Sequence, residues 1–308
     1  MEIDLQANTE LTLGPVLFNW KPEQWRDFYF RIADEAPVST VYLGEVVCFK
    51  RAPLFDEHLG AVVDRLKAAG KTVVPSTLAE VMSKQERQMV AAICAEEGMV
   101  EANDGSALLH LRGRPHHAGP FVNVYNEWTV AVLAASGVCN VCLPPEMPAS
   151  AIRALAPEAT ALGVTLEVMV FGRVPLALSA RCYHARAHRR SKDSCQFVCV
   201  EDPDGMTLRT MENVPFLTVN GIQTMSHDYL NLTGALPELQ AMGVNRFRLS
   251  PHSCDMVAVA TVFREVLDRR IDAAEATDRL RALNFDAPFS NGFHLGKPGH
   301  AWTLGNLH

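Results

Sequence analysis

Residues 181–200, RCYHARAHRRSKDSCQFVCV, place Cys182, Cys195 and Cys199 among Arg181, Arg186, Arg189, Arg190 and Lys192, with His184 and His188 between them. A fourth thiol, Cys48, lies far upstream. Four thiolates suit the corners of a 4Fe-4S cube. The x3 spacing of Cys195 and Cys199 lets two sulfurs reach adjacent irons, a longer loop brings Cys182 round, and basic side chains offset the cluster's negative charge. Zinc accepts the same four cysteines, and His184 with His188 at i, i+4 could serve as well. Spacing leaves iron and zinc about level, with the x3 pair a slight departure from the x2 of zinc knuckles.

Other thiols carry less. Cys139 and Cys142, in CNVC, fall within a strand, where residues three apart face opposite sides, so a shared ligand role is awkward. Cys94 belongs to a helical stripe, and Cys254 fits either core or site. GxSxG, HExxH and P-loop patterns are absent from the sequence.

The elements that must position the thiols alternate. Strands are expected at 11–18, 38–45, 71–76, 99–104, 121–126, 140–145, 165–172 and 245–251. Helical patterns lie between them, such as FDEHLGAVVDRLKAAG with its stripe Phe55, Leu59, Val62, Val63 and Leu66 and the stop at Gly70. Eight strands with intervening helices predict an α/β fold, a (β/α)8 TIM-like barrel spanning 1–308 as a single domain. An iron-sulfur loop and hairpin insertion, 173–225, is expected after strand seven, and a Gly-rich tail at 285–308. In a closed barrel, strands two and seven are separated only by one and eight, so Cys48 and the later three thiols open on one face. Barrel enzymes bind substrate at the C-terminal strand ends. The polar residues expected there are Asn103, Asp104, Asn123, Tyr125, Asn126, Glu146 and Arg173. Of these, Asn103, Tyr125, Asn126 and Arg173 are the candidate substrate contacts, and no catalytic residue is assigned. His116 and His117 look like a loop feature.

Composition bounds the remainder. Over 308 residues, 48% hydrophobic and 20% charged content is too apolar for a disordered chain. A net charge of −7 argues against a nucleic-acid or anionic-membrane coat. The start, MEIDLQANTELTLGPVLF, lacks a signal-peptide pattern. The least polar stretch, TVAVLAASGVCNVCLPP, is broken by Asn140 and closed by Pro144, too short for a transmembrane segment. A cytoplasmic chain is expected, where structural disulfides are rare and clustered thiols point to metal or catalysis.

Taken together, ANDGSALLHLRG, HHAGPFVNVYN, LPPEMP, the Cys182-x12-Cys195-x3-Cys199 run and the tail NGFHLGKPGHAW resemble the UbiV family, ubiquinone-biosynthesis proteins of the collagenase-like peptidase superfamily. The likeness covers essentially the whole chain. It implies a 4Fe-4S cluster on Cys48, Cys182, Cys195 and Cys199, which lifts iron above zinc. It also implies a role in oxygen-independent (anaerobic) hydroxylation of the aromatic ring of the ubiquinone precursor. The implied partners are a UbiU-like paralogue, as a heterodimer, and a UbiT-like lipid-binding protein. Two other functions stand beside this one: a non-catalytic cluster-bearing scaffold for the UbiU-like chain, and a collagenase-like peptidase. Cys139 and Cys142 are extra to the family pattern.

Overall fold

A computed structural model describes residues 9–303. Its core is a ring of parallel strands: β1 (Glu10–Leu13), β2 (Thr40–Leu43), β3 (Thr72–Pro75), β4 (Glu101–Ala102), β5 (His116–Ala118), β6 (Val138–Cys142) and β7 (Thr165–Leu178). The remaining elements of the sheet are β8 (Met206–Arg209), β9 (Pro215–Asn220), β10 (Gln223–Asn231), β11 (Arg246–Leu249) and β12 (Phe289–Ser290). β11 pairs in parallel with both β7 and β1. From there the ladder runs β1–β2–β3 on one side and β7–β6–β5–β4 on the other. A parallel bridge between Ser76 and Glu101 joins the ends, so the barrel expected from the sequence is present.

Among the described residues, ten helices accompany the strands: α1 (Pro22–Glu35), α2 (Asp56–Ala68), α3 (Lys84–Ala95), α4 (Gly105–Leu111), α5 (Glu127–Ser136), α6 (Ala149–Ala161), α7 (Tyr183–Ala187), α8 (Leu236–Ala241), α9 (Met256–Leu267) and α10 (Ala273–Arg281). Their starts follow local chemistry. Ser83 and Glu86 form a reciprocal capping box on α3. Asp104 and Asn126 cap α4 and α5.

Strand alternation divides the side chains. Leu11, Leu13, Val41, Leu43, Val141, Val168, Phe247 and Leu249 join the apolar core with Tyr29, Ile32, Val62, Leu66 and Phe263 of the helices. The alternate residues Thr12, Tyr42, Asn140, Glu167 and Arg248 meet one another across the ring.

Three expectations change. Strand five is His116–Ala118, not 121–126. Pro120, which lacks an amide donor, opens a 3-10 turn at Pro120–Val122, and Asn123 ends it at φ 59°, so the apolar FVNVY cannot stay extended. His116 and His117 are therefore buried strand residues and not a loop pair. Strand seven runs to Leu178, well past the expected 172, because its outer half finds an antiparallel partner in β10. β10 pairs in turn with β9, and β9 with β8, making the expected hairpin region an antiparallel extension of the barrel sheet. Where β7 leaves the ring, Gly172 has φ +117°, and a Cβ there would sit 2.7 Å from Ser250 Cβ. Only glycine fits both that backbone and that space.

Candidate metal centre

Cys48 ends the segment after β2, Cys182 caps α7, and Cys195 and Cys199 follow it. These segments bring all four thiols to line one pocket, with Lys50, Arg51, His184, Lys192, Phe197 and Gly221. Leu17, Val46, Val47, Ala185 and Ile222 pack beneath it.

Local backbone explains how the short Cys195–Cys199 spacing turns inward. Gln196 and Phe197 both have positive φ, 50° and 54°, and Arg189 at 57° precedes them in the same loop. A phenylalanine in the left-handed region is costly and persists only where its surroundings hold it.

The pocket is charged from below by a group that the sequence pattern does not single out. Arg51 is 1% exposed; it donates to Asn220 Oδ1 at 3.0 Å and pairs with Glu45 Oε1 at 3.1 Å. Glu45 Oε1 also accepts from the amides of Val47 and Cys48, both at 2.8 Å, which fixes the turn bearing Cys48. Lys50 Nζ donates to the Lys192 carbonyl at 2.8 Å and lies 3.8 Å from Cys195 Sγ, tying the upstream and downstream segments together. Asn19 Nδ2 donates to Cys199 Sγ at 3.3 Å, and the Ala185 amide to Cys182 Sγ at 3.4 Å. Asn220 Nδ2 holds the Cys199 carbonyl at 3.2 Å. Of the basic residues in the 181–192 run, Arg181, Arg186 and Arg189 are exposed, whereas Lys192 lines the pocket. The FKR that follows Cys48 is the one sequence signal for Lys50 and Arg51.

Burial pushes the Cys48 thiol up, with Arg51 pulling the other way. Burial likewise raises Cys199, to about 11, against Arg51 and the Asn19 hydrogen bond. Thiols held in this way bind a metal by losing protons, as Cys ligands must. The donor set fits a thiolate-ligated iron-sulfur cluster: four sulfurs on one pocket, a buried guanidinium beneath, and N–H groups aimed at sulfur.

The candidate substrate contacts separate. Asn103 is 1% exposed and lines a small cavity at the barrel mouth with Gly14, Glu101, Phe121, Met169 and Arg248. That cavity is about 20 Å³, room for about one water. Asn103 is pressed there by Gly119, whose added Cβ would meet Asn103 Oδ1. Tyr125 is exposed and hydrogen-bonds Glu146; Asn126 Oδ1 accepts from the Thr129 amide at 2.9 Å. Arg173 is buried on β7, pairs with Asp286 at 2.8 Å and stacks on Tyr229. Cys139 faces the His116 carbonyl, whereas Cys142, fully buried, feels the charge of Arg248. The two thus point to opposite sides of β6. Cys94 is buried with Val90 and Leu111, and burial raises its thiol to about 11. Cys254 packs beside Met256.

The lumen holds a second charged assembly. Arg248 on β11 reaches Glu101 on β4 at 2.6 Å and Glu167 on β7 at 2.8 Å, and stacks 3.8 Å above the Tyr42 ring. Glu167 also accepts from Tyr42 Oη at 2.8 Å, from Asn140 at 3.0 Å and from Thr12. Tyr42 donates its only hydroxyl hydrogen to Glu167, so His117 Nδ1, 3.0 Å away, must donate to Tyr42 Oη. Burial works to raise the Glu167 carboxyl, yet Arg248 and Arg246 hold it far below the usual range. Ser76 donates to Glu101 at 2.7 Å. Alternation in NRFRLSP, which aims Arg246 and Arg248 to one side, is the sequence signal for this network.

The profile of "Peptidase family U32" matches residues 20–304. Among solved structures, phospho-2-dehydro-3-deoxyheptonate aldolase (DAHP synthase) from Thermotoga maritima is similar at 10% identity over 91% of this chain and 71% of its own, TM-score 0.43. Ribulose-1,5-bisphosphate carboxylase/oxygenase from Pyrococcus horikoshii is similar at 13% identity over 91% of this chain and 65% of its own, TM-score 0.48.

Proposed function

This chain belongs to peptidase family U32, and from that membership and the thiol pocket we propose that it carries a 4Fe-4S cluster on Cys48, Cys182, Cys195 and Cys199 and serves oxygen-independent ubiquinone biosynthesis. The observation that carries the reading is the convergence of four thiols from separate segments on one pocket. The motifs that resemble UbiV supply the pathway, in which the chain acts with a UbiU-like paralogue in hydroxylating the aromatic ring of the ubiquinone precursor, with a UbiT-like lipid-binding protein assisting.

A bound cluster supplies one-electron transfer. The chain's own residues have distinct tasks. The cysteines present sulfur from loops braced by Glu45, Asn220 and the Lys50 tether. Arg51 offsets negative charge that would otherwise be buried without a partner. Asn19 and the Ala185 amide donate to sulfur, which stabilises the more negative state. Ring hydroxylation is a two-electron oxidation, so a paralogue with a second cluster matches the stoichiometry.

Anaerobically purified protein should be brown, with about four irons per chain. It should co-elute with the UbiU-like chain when the two are co-expressed. A strain lacking this gene should make no ubiquinone without oxygen. Stoichiometric zinc in place of iron, or full anaerobic ubiquinone in a strain deleted for the UbiU-like chain, counts against the reading. The family's name describes peptidases. A cluster-bearing subunit should leave a collagen-like peptide intact, and cleavage by the anaerobic protein would favour the peptidase reading instead.

A further inference from the structure

We propose that His184, His188 and Asp202 form a second metal site, beside the thiol cage and sharing its His184 wall, for a first-row divalent ion with zinc-like ligand preference. One donor atom from each of the three residues falls within 4.8 Å of the other two. A tetrahedral ion at about 2.0–2.1 Å from each donor needs donors about 3.3 Å apart. His184 Nε2 and Asp202 Oδ2 are already at 3.0 Å. His188, half-buried at the end of α7, supplies the third donor once its ring turns toward the other two.

His184 itself points to a ligand. Its side chain is 0% exposed, and Nδ1 lies 3.2 Å from the Val219 carbonyl. A carbonyl only accepts, so Nδ1 carries a proton, and in the neutral ring Nε2 offers a lone pair. That is the tautomer and outer hydrogen bond that ligating histidines adopt. Nε2 lies 3.0 Å from Asp202 Oδ2 without forming a well-aligned hydrogen bond to it. A buried nitrogen left this way costs stability unless something else occupies the space between the two groups. His184 and His188, one turn apart, stack 5.3 Å between centroids with planes 3° apart, so His188 must turn out of this stack before both rings can aim a lone pair at one ion. The Asp202 carbonyl is fixed by Asn220 Nδ2 at 3.0 Å.

Two imidazoles and one carboxylate are a harder donor set than four thiolates, which is why one ion would not serve both sites. Three protein ligands also leave a coordination position for water, and Asp202, 32% exposed, opens the site to solvent.

The test uses full-length, anaerobically purified protein. Its iron is quantified, one equivalent of Zn2+ is added, the protein is desalted, and zinc is read by elemental analysis and X-ray absorption. The expected result is about one zinc per chain, with a nitrogen/oxygen shell at about 2.0 Å and no sulfur shell at about 2.3 Å. His188→Ala and Asp202→Ala should each weaken zinc binding by more than the about 10–100-fold cost of losing an outer partner of a ligand, while iron content stays at its wild-type value. His184→Ala is the less decisive variant, because that ring is part of the packed interior. Cys48→Ser should lose iron and keep the nitrogen/oxygen-bound zinc, so failure of the cluster and failure of this site give different results. No retained zinc, a sulfur shell around it, or unchanged affinity in both His188→Ala and Asp202→Ala would overturn the proposal.

Discussion

The thiol pocket and the barrel lumen both bury charge, and they do so by opposite means. In the lumen, strand alternation sets each group. Arg248 has two carboxylates, and Glu167 has Arg248, Tyr42, Asn140 and Thr12. The network's charges are paired with one another, and the cavity above it has room for about one water. In the pocket, loops do the placing, two successive residues sit in the left-handed region, and the thiols meet donors rather than bases. A network whose charges pair with one another holds elements together, whereas a set of soft donors facing cations is prepared to hold something else. The lumen's charges are thus the barrel's fastening, and the pocket's charges are the site's.

The largest effects should separate the two regions outright. Replacing any one of Cys48, Cys182, Cys195 or Cys199 with Ala should drop iron from about four per chain to a small fraction of that, with the folded barrel retained. Arg248→Met should do the reverse. It leaves Glu101 and Glu167 buried without their cation, a loss of about 3–5 kcal/mol. Iron per folded chain should be unchanged. Urea unfolding monitored with iron analysis reads both. An Arg248→Met protein that is as stable as wild type but iron-free would reverse the assignment of roles.

The two regions also differ in how legible they are in the sequence. Cysteine is recognisable by type, so the four thiols stand out in the chain itself, and barrel geometry supplies the reason that the segments after strands two and seven open on one face. Arg51 is not recognisable as a site residue because its contribution depends on the Glu45 turn and on Asn220, 169 residues away. The lumen is half-written in Arg246 and Arg248, two apart on one strand. Glu101, the partner of Arg248, sits on a two-residue strand, too short to display a period. His117 is hidden for the same reason, since three strand residues followed by Gly119-Pro120 look like a loop. Asp202 becomes a neighbour of His184 only when the insertion folds back on itself.

Acid should loosen the lumen next. Burial depresses His117 to about 4, the nearby Glu167 only partly opposing it. An unfolded histidine titrates near 6.5, so below that pH the unfolded state takes a proton that the folded lumen refuses. The His117 contribution is fully present above about 6.5 and is lost as pH falls toward 4, about 3 kcal/mol over the window. Burial depresses His252 to about 4 as well, and it adds to the same loss. His117→Gln should therefore make unfolding free energy flatter between pH 6.5 and 4 than in the wild type. An unchanged slope would mean that His117 gains its proton within the folded barrel and that the lumen is less closed than its contacts imply.

The smallest expected effect lies at the pocket, where a single hydrogen bond can be removed without touching a ligand. Asn19 Nδ2 donates to Cys199 Sγ at 3.3 Å. The Asn19 backbone N–H donates separately to Asn220 Oδ1 at 3.3 Å, and that bond survives substitution of the side chain. Asn19→Ala should keep its iron. Reduction adds negative charge to a thiolate-ligated cluster, so a donor to sulfur stabilises the reduced form more than the oxidised one. Its removal should lower the midpoint potential. A net hydrogen bond of about 1 kcal/mol corresponds to roughly 40 mV for a one-electron couple. Asn140→Ala, which removes a donor to Glu167 in the lumen, is the matched control and should leave the potential where it was. Equal shifts in both variants would show the two regions to be electrostatically coupled, and a shift to higher potential in Asn19→Ala would deny the Asn19 side chain its role at sulfur.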